Sequence, residues 1–227
     1  MMTRLSIVIP TMNEEQSIGQ VIDAIRQSIS DSLSYEILIV DTDSKDRTRE
    51  IALSKGARII DEPRRGYGRA YKTGFEAASG EIIATLDADM TYPADMIEGL
   101  VRLLDSEKLE FISTNRFANL KPGAMSATHK LGNKILSLAV RLLFGVRVRD
   151  SQSGMWVFRK EILPRLNLTS EGMSFSEELK IEAFRKTRAK EVPISYSPRV
   201  GEVKLNTWRD GWNNFKFLFK KRFGKNA

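Results

Sequence analysis

The chain has no cysteine and a single histidine, His129, among its 227 residues. Without thiols there is no disulfide framework, no thiolate metal site and no cysteine nucleophile. One histidine argues against a His-rich metal centre and against a Ser-His-Asp triad. No uninterrupted apolar run approaches membrane-spanning length. The start, Met1-Met-Thr-Arg-Leu5, moves straight into a strand pattern and carries no secretory signal. Linkers, internal repeats and low-complexity tracts are also missing, so one domain over 1–227 is expected. What the chain does have in excess is positive charge, +7 in sum. That calls for an anionic partner, whether nucleotide, nucleic acid or phospholipid surface, and does not choose among them.

The apolar residues alternate between strand and helix patterns. Leu5-Ser-Ile-Val-Ile9 reads as a strand closed by Pro10-Thr11, and Asn13 is placed to cap a helix whose Ile18, Val21, Ile22, Ile25 and Ile29 share one face. Glu14 and Glu15 would sit at its positive end. Glu36 to Val40 is the next strand, followed by Ser44 and Asp46 as caps of a helix ending near Gly56. Ala57 to Ile60 is a third strand, and a helix near Ala70 to Ala78 is closed by Gly80. This order predicts a mostly parallel sheet covered by helices on both faces.

The fourth strand, Ile82 to Leu86, stops on Asp87-Ala88-Asp89, and Pro93 then fits the first turn of a helix through Ile97, Leu100, Val101 and Leu104. In an open α/β sheet, ligands bind beyond the carboxyl ends of the strands. Two acids one residue apart at that point repel each other and are costly to desolvate unless a cation joins them. Mg²⁺ or Mn²⁺ does so, taking the rest of its oxygens from substrate phosphates. A solvated turn is the ordinary reading of such a tripeptide; closing a buried strand makes it more informative. Arg64-Arg-Gly66-Tyr-Gly68-Arg69 offers cations and helix N–H groups to an anion. It matches neither the dinucleotide fingerprint nor the phosphate-binding loop, because the third glycine is missing and Tyr71 stands before Lys72-Thr73.

Pro10-Thr-Met-Asn-Glu-Glu15, Asp41-Thr-Asp43-Ser44, Gly66-Tyr-Gly68, Asp87-Ala-Asp89, Asn115-Arg116, Asp150-Ser-Gln-Ser-Gly154, Phe175-Ser-Glu-Glu178-Leu179, Val192-Pro-Ile194 and Arg199-Val-Gly201-Glu-Val-Lys204-Leu205 follow in order along nearly the whole chain. Together they resemble the family 2 inverting glycosyltransferases of the GT-A (Rossmann-like) fold, nearest the polyprenyl-phosphate (dolichol-phosphate) mannosyl- and glucosyltransferases. Asp41-Thr-Asp-Ser44 departs from the usual Asp-Asp-Gly-Ser, Met90-Thr91 replaces a common Gln, and Val203 replaces a Ser. These departures bear on donor identity and one metal contact.

The resemblance implies transfer of a hexose from GDP-mannose or UDP-glucose to a polyprenyl or dolichyl phosphate, with Mg²⁺ or Mn²⁺; transfer to another glycan or lipid acceptor, as other family 2 members do, is the alternative. It implies a nucleotide-sugar half over 1–116, an acceptor half over 117–205 and an amphipathic tail over 206–227. Pro10, Thr11, Met12, Glu14, Asp41, Asp43, Gly68, Asp87 and Ala88 would line the nucleotide-sugar pocket. Asp87 and Asp89 would hold the metal, with Asp89, Arg116 and Glu178 in the catalytic centre. Lys130, Arg199 and Lys204 would meet the acceptor phosphate. An acceptor already anionic needs no general base, which suits a chain almost without histidine.

The rest of the chain is less regular. Lys121 to Lys130 reads as a loop of small residues acting as an acceptor-side flap, and Leu131 to Val146 as an apolar segment too polar to span a bilayer. Gly154 to Phe158 reads as a strand and Ser174 to Lys186 as a helix. From Leu205 onward, Trp208, Trp212, Phe215, Phe219 and Phe223 make one helical stripe among Arg209, Lys216, Lys220, Lys221 and Arg222. This predicts peripheral attachment to an anionic membrane surface or to a membrane partner protein, on the cytoplasmic, inner face. Two other classes fit the sequence less well. A nucleotidyltransferase would carry a basic glycine loop after the first strand, where this chain is acidic. A nucleic-acid binder suits the charge but leaves the acidic crevice unexplained, so no nucleic-acid partner is expected.

Overall fold

The computed structural model describes residues 3–201 and 207–224, with 207–209 described by backbone alone. Lys204, expected at the acceptor phosphate, lies outside the described residues. The strands are β1 (Leu5–Thr11), β2 (Tyr35–Asp41), β3 (Arg58–Asp61), β4 (Ile82–Thr85), β5 (Phe111–Leu120), β6 (Trp156–Arg159) and β7 (Ala189–Tyr196). The helices are α1 (Ile18–Ser28), α2 (Thr48–Ser54), α3 (Tyr67–Ala77), α4 (Ile97–Ser106), α5 (Ala127–Phe144), α6 (Phe175–Lys186) and α7 (Thr207–Phe223). The seven strands form one sheet in the order β3-β2-β1-β4-β6-β5-β7. All neighbours run parallel except β6, which is antiparallel to both β4 and β5.

Side chains alternate across this sheet and build a core on each face. Leu5, Ile7 and Ile9 of β1, with Ile37 and Ile39 of β2, point to α1 and α4. Val8, Leu38 and Val40 point the other way, to Tyr71 and Phe75 of α3 and Phe175 and Leu179 of α6. Each fully buried Ile or Leu contributes about 1.5–3 kcal/mol relative to exposure. Helices therefore cover both faces, as the pattern predicts. A third, smaller core joins Leu136 and Val140 of α5 to Ile181 of α6 and Leu218 of α7.

Three local expectations are corrected. Helix α1 starts at Ile18, so Asn13, Glu14 and Glu15 precede it instead of capping it. Their polar groups are used between loops: Asn13 N–H donates to Ser44 Oγ at 2.8 Å, and Asn13 Oδ1 accepts from Lys45 N–H at 2.7 Å. The Glu15 N–H donates to Asp46 Oδ2 at 3.1 Å. Helix α3 begins at Tyr67, three residues before its expected start, which places Gly68 inside the helix. Helix α5 begins at Ala127, capped by Ser126 Oγ accepting from the His129 N–H at 3.2 Å. The expected flap is thus confined to 121–126, and His129 and Lys130 are helical.

Topology sets where the site can be. β1, β2 and β4 are parallel, so Thr11, Asp41 and Asp87 lie beyond the same edge. β5 is antiparallel to β6 and therefore runs with β4, which brings Arg116 toward that edge. β7 is parallel to β5 and delivers 197–201 there. The reversed β6 enters the sheet from this edge, so the 150–154 segment before it joins the same crevice.

Candidate active site

Asp89 is almost fully buried, and its Oδ1 accepts from the Thr91 N–H at 3.1 Å and Thr91 Oγ1 at 2.6 Å. Its Oδ2 accepts from Arg199 NH1 at 3.0 Å, and Arg199 NH2 reaches Glu14 Oε1 at 2.5 Å. One guanidinium thus spans two acids from different loops. Asp87, partly open to the crevice, accepts from the Tyr67 hydroxyl at 3.4 Å. Withdrawal from water and the neighbouring Asp89 carboxylate push Asp87 up to about 7, against the pull of Arg116 and Arg199. Two carboxylates crowded at a strand end favour a shared cation.

Arg116 is held in a fork. Its Nε and NH2 donate to Asp150 Oδ2 and Oδ1 at 2.7 and 2.8 Å, and its N–H donates to Oδ2 at 3.0 Å. Such bidentate pairs fix orientation as well as charge. The guanidinium also stands 5.2 Å from the centre of the Tyr196 ring. Burial pulls its pKa down, but Asp150, Tyr92 and Tyr196 lift it well above the ordinary arginine value, so it remains a cation. Gly154 closes this side: its N–H donates to Tyr92 Oη at 2.6 Å, and its carbonyl accepts from Thr85 Oγ1 at 2.7 Å. A Cβ at Gly154 would lie 2.4 Å from Tyr67 Oη and 3.4 Å from Asp87 Oδ1, so a larger residue would force the Tyr67 hydroxyl away from Asp87.

The structure gathers Glu14, Asp87, Asp89, Arg116 and Arg199 around the crevice. Thr11 and Asp41 lie just beneath, where Asp41 is fully engaged. Its oxygens accept from Ser44 Oγ at 2.5 Å, Thr11 Oγ1 at 3.2 Å, the Ser44 N–H at 3.1 Å and Arg49 NH1 at 3.1 Å. Pro10 and Met12 are half-buried beside Thr11. Ala88 is buried in the core shared with α1 and α4. Asp43 is exposed and pairs with Lys45 at 2.6 Å.

Others of the expected residues are placed differently. A Cβ on Gly68 would meet Phe175 Cβ at 2.6 Å and the Ser170 carbonyl at 2.8 Å. Helix packing inside the protein therefore accounts for this glycine. Glu178 is wholly buried, accepting from the Ser170 N–H at 2.7 Å and Thr169 Oγ1 at 2.9 Å and pairing with Lys221 of α7 at 3.1 Å. It fastens α6 to the preceding loop and to α7. Lys130 lies half-buried in the first turn of α5. Two cations of the glycine loop are also engaged, Arg64 by Glu62 at 2.7 Å and Arg69 by Glu171, while Arg65 is exposed. Sequence reasoning gave no role to Asp150, Tyr67, Tyr92 or Thr85. Asp150 stood inside a recognised motif, but nothing in its spacing identified Arg116 as its partner.

A GT-A arrangement defined by this sheet and crevice has its counterpart in sequence. The description "Glycosyl transferase family 2" matches residues 6–166, and the chain belongs to that family. Among curated relatives, the low-salt glycan biosynthesis hexosyltransferase Agl6 of Haloferax volcanii is 36% identical over 217 residues, 94% of this chain and 52% of that protein. A dolichyl-phosphate hexose transferase of the same organism is 35% identical over 210 residues, 91% of this chain and 89% of that one. This chain therefore spans about half of the first relative and most of the second. Glucosyl-3-phosphoglycerate synthase from Mycobacterium tuberculosis, crystallised with Mn²⁺, UDP and glucosyl-3-phosphoglycerate, superposes with a TM-score of 0.78. The match covers 97% of this chain and 80% of the synthase at 22% identity, a likeness of fold.

Proposed function

We propose that the chain moves a hexose from a nucleotide sugar to a polyprenyl phosphate, with inversion at the anomeric carbon. The observation that carries this reading is the Asp87–Asp89 pair at the end of β4, faced by Arg116 and Arg199. Among the described residues no cluster of three or more acids, histidines or cysteines could hold a metal alone. Two carboxylates are nevertheless the expected protein share for Mg²⁺ or Mn²⁺ completed by substrate phosphates, so the residues fit. Asp87 and Asp89 would hold that cation, which supplies charge stabilisation to the departing diphosphate.

The chain's own residues do the remaining work. Arg116, fixed by Asp150, presents a permanent positive charge to the diphosphate. Arg199, which bridges Asp89 and Glu14, would supply a second positive charge at the crevice for the acceptor phosphate. Lys130 adds charge on the acceptor side, and Glu14 with Thr11 and Asp41 shape the base and ribose pocket. The dolichyl-phosphate hexose transferase among the relatives supports the lipid acceptor. The test is incubation with GDP-mannose or UDP-glucose, polyprenyl phosphate and Mn²⁺, followed by mass spectrometry of the lipid fraction. A hexosyl-phosphate lipid, abolished by EDTA, is the expected product. Release of free sugar alone, or transfer only to glycans, would sink the assignment.

The same reading places the protein at a membrane surface. Among the described residues no helix is long and apolar enough to cross a membrane. Helices α5 and α7 pack together, and each leaves an apolar row uncovered: Leu131, Ile135, Leu138 and Leu142 on one, Trp212, Phe219 and Phe223 on the other. Lys134, Arg141, Lys216 and Lys220 are exposed on the same two helices. Near an anionic leaflet each such cation contributes about 1 kcal/mol.

A further inference from the structure

Behind the Arg116–Asp150 fork lies a group of buried ionisable side chains that the transfer reaction does not itself use. Lys180 of α6 has no solvent-exposed surface, and lysine is almost never fully buried unless paired. Its Nζ donates to the main-chain carbonyl of Asp150 at 2.7 Å. Glu177, one turn earlier on α6, is equally buried and accepts from Gln152 Nε2 at 2.8 Å. Glu191 of β7 accepts from the Arg149 and Asp150 N–H groups at 2.9 and 3.0 Å. The segment entering β6 is therefore pinned by α6, by β7 and, through Arg116, by β5. Its far end is Gly154, packed against Asp87.

We propose that Lys180 is a positioning residue for the donor: by holding the Asp150 main chain it sets the Asp150 carboxylate, and with it the Arg116 guanidinium that meets the diphosphate. This rests on the reading of Arg116 as the phosphate-facing cation. The groups that face Lys180 are Asp150, Glu191 and Glu177, which favour its charge, and Arg116, which opposes it. Burial outweighs them and brings Lys180 down to about 7. As an ammonium it holds the carbonyl through a charge-assisted bond; as an amine it holds it more weakly.

The test is calorimetric binding of UDP and of GDP in EDTA, without acceptor, from about pH 6 to about pH 8. The parent protein loses affinity as pH rises through that range. Lys180→Met binds roughly tenfold more weakly at the acid end, the scale of a lost supporting contact, and lacks the step. Asp87 contributes the same pH dependence to every protein, so the step is the part of the parent curve that remains after the variant curve is subtracted. Lys180→Gln, which can still donate without charge, binds like the parent at high pH and also shows no step. Thermal unfolding checks that both variants fold, as expected where an apolar or neutral group replaces a buried charge. In turnover, the donor KM rises more than kcat falls. Parent-like curves for both variants would overturn the inference, as would a pH-independent loss that tracks a fall in Tm. Arg116→Gln separates the two readings. If it weakens nucleotide binding while Lys180→Met does not, Lys180 alone is misassigned. If Arg116→Gln leaves binding unchanged, the role of Arg116 fails.

Discussion

At the scale of single residues, the two crevice carboxylates differ in what they hold. Asp89→Asn keeps the Thr91 bonds to its remaining oxygen but cannot hold a cation's charge, so the fold should survive and most activity should go. Undiminished turnover at saturating donor, with EDTA harmless, would remove the metal from the account. Asp41 poses a sharper question, because the structure gives its oxygens four donors from Thr11, Ser44 and Arg49. If it also grips the base or ribose, Asp41→Ala raises donor KM more than it lowers kcat. Intact kinetics with a lower Tm would leave it a loop anchor. The identities of Asp87, Asp89, Arg116 and Arg199 were legible in sequence because they sit in ordered motifs. Their partners were not: Arg116 and Asp150 are 34 residues apart, and Arg199 and Glu14 are 185 apart. Neither spacing has a local period that reports contact.

At the scale of elements, long amphipathic runs were readable and loop chemistry was not. The isoleucines of α1 mark its buried face, but the polar residues before it do not mark its start, because they bond across to the β2–α2 loop. The antiparallel β6 was seen as a strand, but its direction depends on a partner far away in sequence. Helix α4 offers a stability test. It ends with Lys108 at φ 52°, and the Leu109 N–H returns to the Leu104 carbonyl at 2.8 Å, a turn that favours glycine. Lys108→Gly should stabilise the protein by roughly 0.5–1 kcal/mol, read as a higher denaturant midpoint at constant m. An unchanged or lower midpoint would mean that left-handed turn carries no strain. Helix α6 supplies the pH dependence. Lys180 falls from 10.5 to about 7 in the fold, so between those values the unfolded chain binds more protons. Stability contributed by this group therefore rises with pH across that window. Urea midpoints at successive pH values should rise more steeply in the parent than in Lys180→Met; parallel curves would contradict the shift.

At the scale of the whole molecule, charge and exposed apolar rows converge on α5 and α7. The structure alters the expected membrane surface in one respect: Lys221 turns inward to Glu178 and Glu182 at 3.1 and 3.0 Å. Arg222 is partly engaged as well, donating to the Leu143 carbonyl at 2.9 Å. Among the described residues, Lys220, Lys134, Arg141 and Lys216, the last 5.4 Å from the centre of the Trp212 ring, are exposed cations able to face a leaflet. Replacing these four by Ser should weaken sedimentation with anionic liposomes and flatten its salt dependence, whereas Lys221→Ser should mainly lower Tm. Equal sedimentation of the fourfold variant would assign the surface to packing or to a membrane partner protein. The reversal of β6 has a different kind of consequence. β5 leaves the sheet at the crevice and β6 re-enters it there, so the whole excursion over 121–154 begins and ends beside the reacting groups. Its length can vary without altering strand register elsewhere. Residues 150–154 at its far end hold Arg116 and close on Asp87, so only the stretch before Asp150 is an exchangeable cassette, through which descent or engineering could retarget the acceptor side while leaving the donor crevice intact.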